Sequence, residues 1–150
     1  MSPGHCHVLV AEDDENDAFL LMRAFRKSGL GLAVFRVADG TEAVDYLGGT
    51  GAYTDRALFP LPKLVLLDLK MPKMSGFEVL AWMRTRPALV GLPTVVLSSS
   101  TLPSDLAKAR ELGAKDYKIK PMDFQELVRL VQDLNNCYLH QKAPQAMPDA

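Results

Sequence analysis

Five short apolar runs punctuate the chain, at residues 7–11, 33–37, 64–68, 94–98 and 116–119. After each comes a stretch in which apolar residues return at helical spacing. The runs are continuous and do not alternate polar with apolar, so a strand built from one would be buried on both faces. That requires helices on each side of a parallel sheet. The sequence therefore predicts a doubly wound α/β fold, a (βα) unit repeated five times around a central five-stranded parallel sheet. Phe19, Leu21, Met22 and Phe25 mark a first helix over 15–28, stopped by Gly29 and Gly31. A second covers 41–47. Ser75 is placed to cap a third that carries Phe77, Leu80 and Met83 and ends at Pro87. A fourth spans 104–112 and closes at Gly113. Asp123 is placed to cap a fifth whose Phe124, Leu127, Val131 and Leu134 share one face.

The 150 residues provide for one such domain and no second. Its 17 basic side chains against 18 acidic ones leave a formal charge of −1, so no global basic field exists to gather a phosphate backbone, and nucleic acid is not an expected partner. No apolar run approaches the ~18–20 residues of a bilayer span. The start has neither the basic nor the apolar segment of a secretion signal, so a cytoplasmic location is expected. Cys6 and Cys137 match no disulfide framework or zinc spacing and are expected to be reduced thiols. His5-Cys6-His7 reads as part of a disordered terminus, not a metal site. The connection over 48–63, with three Gly, two Pro and the apolar Tyr53, Leu58 and Phe59, is unusually long and reads as a packed surface loop.

Ligands of parallel α/β sheets bind beyond the carboxyl ends of the strands. There the first run closes on Glu12-Asp13-Asp14, the third on Asp68 and the fourth on Ser98, and the fifth is followed by Lys120-Pro121. Carboxylates gathered this closely repel one another unless a cation compensates. Mg2+, a hard ion that takes oxygen ligands and keeps several waters, suits such a site. Asp13 and Asp68 are the expected direct ligands, with the backbone carbonyl of Lys70 as the third; Glu12 reaches the metal through a water or bonds to its ligand shell. Between a metal and Lys120, Asp68 is an ionised carboxylate facing concentrated positive charge, and can act as a nucleophile. The metal, Lys120 and the Ser98 hydroxyl could neutralise the equatorial oxygens of a transferring phosphoryl group, leaving an acyl phosphate on Asp68.

These motifs fall in register: Glu12-Asp13 after the first run, Asp68-Leu69-Lys70-Met71-Pro72-Lys73-Met74-Ser75-Gly76 after the third, Ser98, then Lys120-Pro121. In that register the chain resembles the receiver domain of two-component response regulators, over about residues 7–139. The resemblance implies a receiver (flavodoxin-like) fold, phosphorylation of Asp68 by a sensor histidine kinase, dependence on Mg2+, and a switch through Ser98 and Tyr117. Read from the sequence alone, Tyr117 is equally a buried core aromatic. Two positions depart from the common pattern, Glu12 where many receivers have Asp and Ser98 where Thr is commoner, and both keep the functional group. The long 48–63 connection and the end soon after the fifth helix resemble the single-domain regulators that accompany phytochromes, which raises a phytochrome kinase as partner. The implied division is 1–6 as a disordered N-terminus, 7–140 as the receiver domain and 141–150 as a disordered tail.

The competing class is a metal-dependent phosphatase or hydrolase with an Asp nucleophile. An enzyme of the haloacid-dehalogenase type would want an acid two residues after Asp68, where Lys70 stands, so action on a separate substrate is not expected. Cys137, Tyr138 and Leu139 extend the fifth helix beyond Leu134 and would leave an apolar patch in water. A homodimer through the fifth strand, fifth helix and following segment is expected, the competing possibility being that this end folds back on its own domain.

Overall fold

The computed structural model describes residues 6–142. Five strands, β1 (Val8–Ala11), β2 (Val34–Val37), β3 (Leu64–Leu67), β4 (Thr94–Ser98) and β5 (Asp116–Ile119), form one parallel sheet in the order β2-β1-β3-β4-β5. Five helices intervene: α1 (Glu15–Lys27), α2 (Gly40–Gly48), α3 (Gly76–Arg84), α4 (Pro103–Glu111) and α5 (Phe124–Leu134). This is the expected doubly wound architecture, with boundaries displaced by one or two residues, as fraying termini allow.

Successive strand side chains point to opposite faces, and the core divides accordingly. Leu9, Ala11, Val65, Leu67 and Val96 meet α2, α3 and α4 through Tyr46, Leu47, Leu80, Met83 and Ala109. Val8, Val10, Leu64, Leu66, Val95 and Leu97 meet α1 and α5 through Leu21, Phe25, Leu127, Leu130 and Leu134. Every residue of β1, β3 and β4 is buried. Each Val or Leu so placed contributes about 1.5–3 kcal/mol of transfer free energy, which makes these three strands the rigid frame of the molecule.

Ser75 caps α3 in a reciprocal box with Glu78, as its position predicts. Asp123 occupies the cap position of α5, but its side chain makes no capping bond, so the expected role there is not realised. The 48–63 connection is packed, as expected. Tyr53 and Phe59 stack edge to face 4.9 Å apart beside Phe35 and Tyr46. Arg56 donates to the carbonyls of Tyr46 (2.7 Å), Leu47 (2.8 Å) and Phe59 (3.1 Å), tying the loop to the open end of α2.

The two ends of the domain correct the sequence reading. Cys6 is buried, its thiol donating to the Val8 carbonyl at 3.4 Å, and His7 Nδ1 accepts from the Ala33 N–H at 2.8 Å, so Cys6, read from the sequence as part of the terminus, packs with the domain. Beyond α5 the helix widens into one π-type turn, Asn135–Leu139. Tyr138 and Leu139 pack against the α1/α5 core and leave Cys137 exposed, so most of the anticipated apolar patch is covered by the protein's own domain. Buried Asn135 pairs twice with the Gln141 backbone, at 2.8 and 2.9 Å, and orders the first residue assigned to the tail. His5, with the rest of 1–5, and residues 143–150 lie outside the described residues. Among the described residues no helix is long and apolar enough to cross a membrane.

Candidate functional site

The carboxyl ends of β1, β3, β4 and β5 lie side by side, and backbone bonds fix their relative heights. The Glu12 N–H donates to Val37, the Asp68 N–H to Ala11 and the Lys120 N–H to Ser98, at 2.9–3.1 Å. Adjacent strands stand about 4.8 Å apart, so side chains leaving these three positions converge. Carboxylate oxygens of Glu12, Asp13 and Asp68 all lie within 4.8 Å of one another. Glu12 and Asp68 are buried, while Asp13 faces solvent. Asp14, the remaining acid of the first turn, is occupied in capping α1, its Oδ1 accepting from the Asp17 N–H at 2.8 Å.

Lys120 Nζ sits 2.7 Å from Glu12 Oε1, 2.9 Å from Asp17 Oδ2 and 3.0 Å from Asp68 Oδ2. One ammonium thus serves three carboxylates. Burial disfavours its charge, but those three acids more than offset this and hold Lys120 above the ordinary lysine value. Burial pushes the Glu12 carboxyl up to about 7; the Lys120 bond opposes that rise and the Asp68 charge adds to it. Asp17 is the member that sequence reasoning missed. Its signal was present, one helical turn beyond Asp13, but it reads equally as an acid favouring the N-terminus of α1.

The donor set fits a divalent cation: three oxygen ligands converge, the local acids exceed the single ammonium, and one of the three faces water. The Lys70 N–H is 3.4 Å from Asp68 Oδ1, so the segment carrying the Lys70 carbonyl folds against the acids.

Ser98 is buried at the end of β4, and its Oγ accepts from the Ser100 N–H at 3.1 Å. Tyr117 is also buried, and its hydroxyl donates to the Ser100 carbonyl at 2.9 Å. Ser100 Oγ in turn donates to Asp105 on α4 at 2.6 Å. A chain of polar contacts thus runs from Ser98, at the end of β4, to α4. Tyr117 is therefore a core aromatic, as one of its two sequence readings has it, with its hydroxyl on the β4–α4 loop.

This combination, a five-stranded parallel sheet with acids, a hydroxyl and a lysine at its carboxyl edge, defines a receiver. The family model described as "Response regulator receiver domain" matches residues 8–132, and the chain belongs to that family. It is a two-component response regulator, and the phosphatase reading is set aside. Among its relatives, the probable methanogenesis regulatory protein FilR2 of Methanothrix harundinacea is 37% identical, the alignment covering 88% of this chain and 83% of FilR2. Response regulator Rcp1 of Synechocystis is 32% identical, covering 88% of each chain. The crystal structure of its Mn2+-bound form superimposes with a TM-score of 0.78, at 29% identity, over 95% of this chain and 99% of that one. The phosphorylated cyanobacterial phytochrome response regulator RcpA gives 0.81 at 31% identity, over 95% and 100%.

Proposed function

We propose that Asp68 is the phospho-acceptor of this regulator, receiving its phosphoryl group from a sensor histidine kinase. The observation that carries this is the Asp68 carboxylate itself, buried directly after β3, with Lys120 Nζ 3.0 Å from one oxygen and carboxylate oxygens of Glu12 and Asp13 within 4.8 Å. An Asp68 oxygen attacks phosphorus, the bond to the kinase's phosphohistidine nitrogen breaks, and the electron pair leaves with the imidazole. Lys120 faces the transferring group and neutralises charge on its oxygens, while the Ser98 hydroxyl donates to one of them. Mg2+, held by Asp13, Asp68 and the Lys70 carbonyl with Glu12 behind them, would supply the remaining positive charge. On this reading the chain acts on its own aspartate and not on a separate substrate, in keeping with Lys70 standing where a haloacid-dehalogenase-type enzyme would want a second acid.

Incubation with acetyl phosphate and Mg2+ should add one phosphoryl mass, lost in Asp68→Asn and abolished by chelator. Uptake by Asp68→Asn at the wild-type rate and site would overturn the assignment.

Once Ser98 donates to the phosphoryl group, its contact with the Ser100 N–H is disturbed and the Tyr117 hydroxyl follows the loop, repacking the α4–β5 face. Ser98→Ala should accept phosphate but respond weakly in backbone NMR shifts, with Ser98→Thr restoring the response. The likeness to RcpA, a phytochrome response regulator, supports a phytochrome kinase as donor, acting in the cytoplasm, tested by phosphotransfer from such a kinase. A homodimer at the β5 edge is supported by Ile119 and the fully exposed Met122, not by the covered Tyr138 and Leu139. Sedimentation of the wild type and of Ile119→Lys, with and without beryllofluoride, tests it; monomers throughout would remove it.

A further inference from the structure

The first-strand acids need a fixed backbone to converge, yet the turn that carries them leaves β1 before α1 begins, with Asp13 and Asp14 exposed. Arg36, on the edge strand β2, reaches across this turn. Its Nε donates to the Glu12 carbonyl at 2.9 Å, its Nη2 to the Asp13 carbonyl at 3.3 Å, and its Nη1 meets Glu15 Oε1 at 3.2 Å. The rigid guanidinium fork spans two consecutive peptide carbonyls, which a lysine ammonium cannot do. The Glu12 N–H is already held by the Val37 carbonyl next to Arg36, so β2 grips this peptide segment from both sides. The Arg36 side chain is four-fifths buried, which limits competition from water.

We propose that Arg36 is a positioning residue for the divalent-cation site: it clamps the Glu12–Asp13 backbone so that both carboxylates are aimed before the ion arrives. The inference rests on the assignment of the acid cluster as that site. Arg36 touches no reacting atom. Its own charge, largely answered by Glu15 and facing carbonyls, opposes the cation less than the ordered backbone favours it. Partners that orient ligands in this way typically change metal affinity by about 10–100-fold. With one exposed flank, the lower end of that range applies.

The test is Mg2+ titration by calorimetry, with Mn2+ paramagnetic resonance as a second probe, on the full chain and on Arg36→Met and Arg36→Lys. Arg36→Met should bind about tenfold more weakly, and Arg36→Lys, which keeps the charge and can hold one carbonyl, should fall between. Acetyl phosphate labelling of Arg36→Met should recover at high Mg2+, moving the half-saturating metal concentration and not the plateau. A lower melting temperature with unchanged Mg2+ affinity would make Arg36 a merely structural residue and overturn the proposal, as would tighter binding in Arg36→Met. Wild-type affinity in Arg36→Lys with weakened binding in Arg36→Met would show that a single donor suffices and would overturn the two-carbonyl clamp. Should the wild type itself bind no Mg2+, the cation-site assignment fails, and this inference with it.

Discussion

Glu12→Gln should stabilise the metal-free protein increasingly as pH rises. In the folded state Glu12 titrates at about 7, against an ordinary value of 4.5. Between those values the folded chain holds a proton that the unfolded chain has released, so folding stability falls as pH climbs through this window and levels off above it. The full displacement is worth roughly 3 kcal/mol, most of it between pH 5 and 8. Glutamine keeps the shape and cannot ionise. It has one acceptor oxygen where the carboxylate uses two, for Lys120 Nζ and the Asp14 N–H at 3.1 Å. That loss costs about 1–1.5 kcal/mol and does not depend on pH. Urea unfolding in chelator, followed by circular dichroism from pH 5 to pH 8, should show the stability difference, variant minus wild type, rising by about 2–3 kcal/mol. Saturating Mg2+, which favours the ionised cluster, should flatten the rise. A difference constant across that range without metal would refute burial as the cause of the displaced carboxyl.

Arg56→Ala removes three bonds to backbone carbonyls and should cost about 2–3 kcal/mol, with limited proteolysis accelerating within residues 54–62. At Gly40 a Cβ would overlap the Met74 carbonyl, backbone against backbone. Gly40→Ala should therefore lose roughly 2 kcal/mol or more and lower the thermal midpoint by several degrees. Ser75→Ala breaks the capping box of α3 and should cost about 1 kcal/mol in chemical denaturation.

The apolar runs were legible because burial on both faces leaves a strand no polar position to blur the pattern, as in β1 and β3. Glu12, Asp13, Asp68, Ser98 and Lys120 were legible because each directly ends or follows such a run, and the topology brings those ends together. What escaped was the support. Arg36 and Arg56 act through backbone carbonyls, which carry no sequence identity, so nothing in the chain points at their partners. Asp17 belongs to a run of acids in which geometry alone picks out the one that meets Lys120. Asp123 shows the converse: a residue type suited to a cap stands at the cap and leaves the bond unmade. Tyr138 and Leu139 looked surplus because a regular helix would have carried them past the core, whereas the π-type turn rotates them back onto it.

The 48–63 connection runs from the end of α2 to the start of β3, and so enters the sheet at the edge opposite Asp68. Loops at the two edges of a parallel sheet are under different obligations. At the carboxyl edge, inserting a residue would shift a carboxylate or an ammonium by several ångströms and dismantle the cluster. At the amino edge, length changes are absorbed by an aromatic pack and one arginine without altering strand register. Such a scaffold can diversify its far rim, lengthening or recutting it to suit a new protein neighbour, while the phosphoryl chemistry stays constant. Two regulators with interchangeable acceptor sites could then be kept from answering to the same binding partner by a loop some four strand-lengths of sequence long, on the side of the molecule that never meets the phosphate.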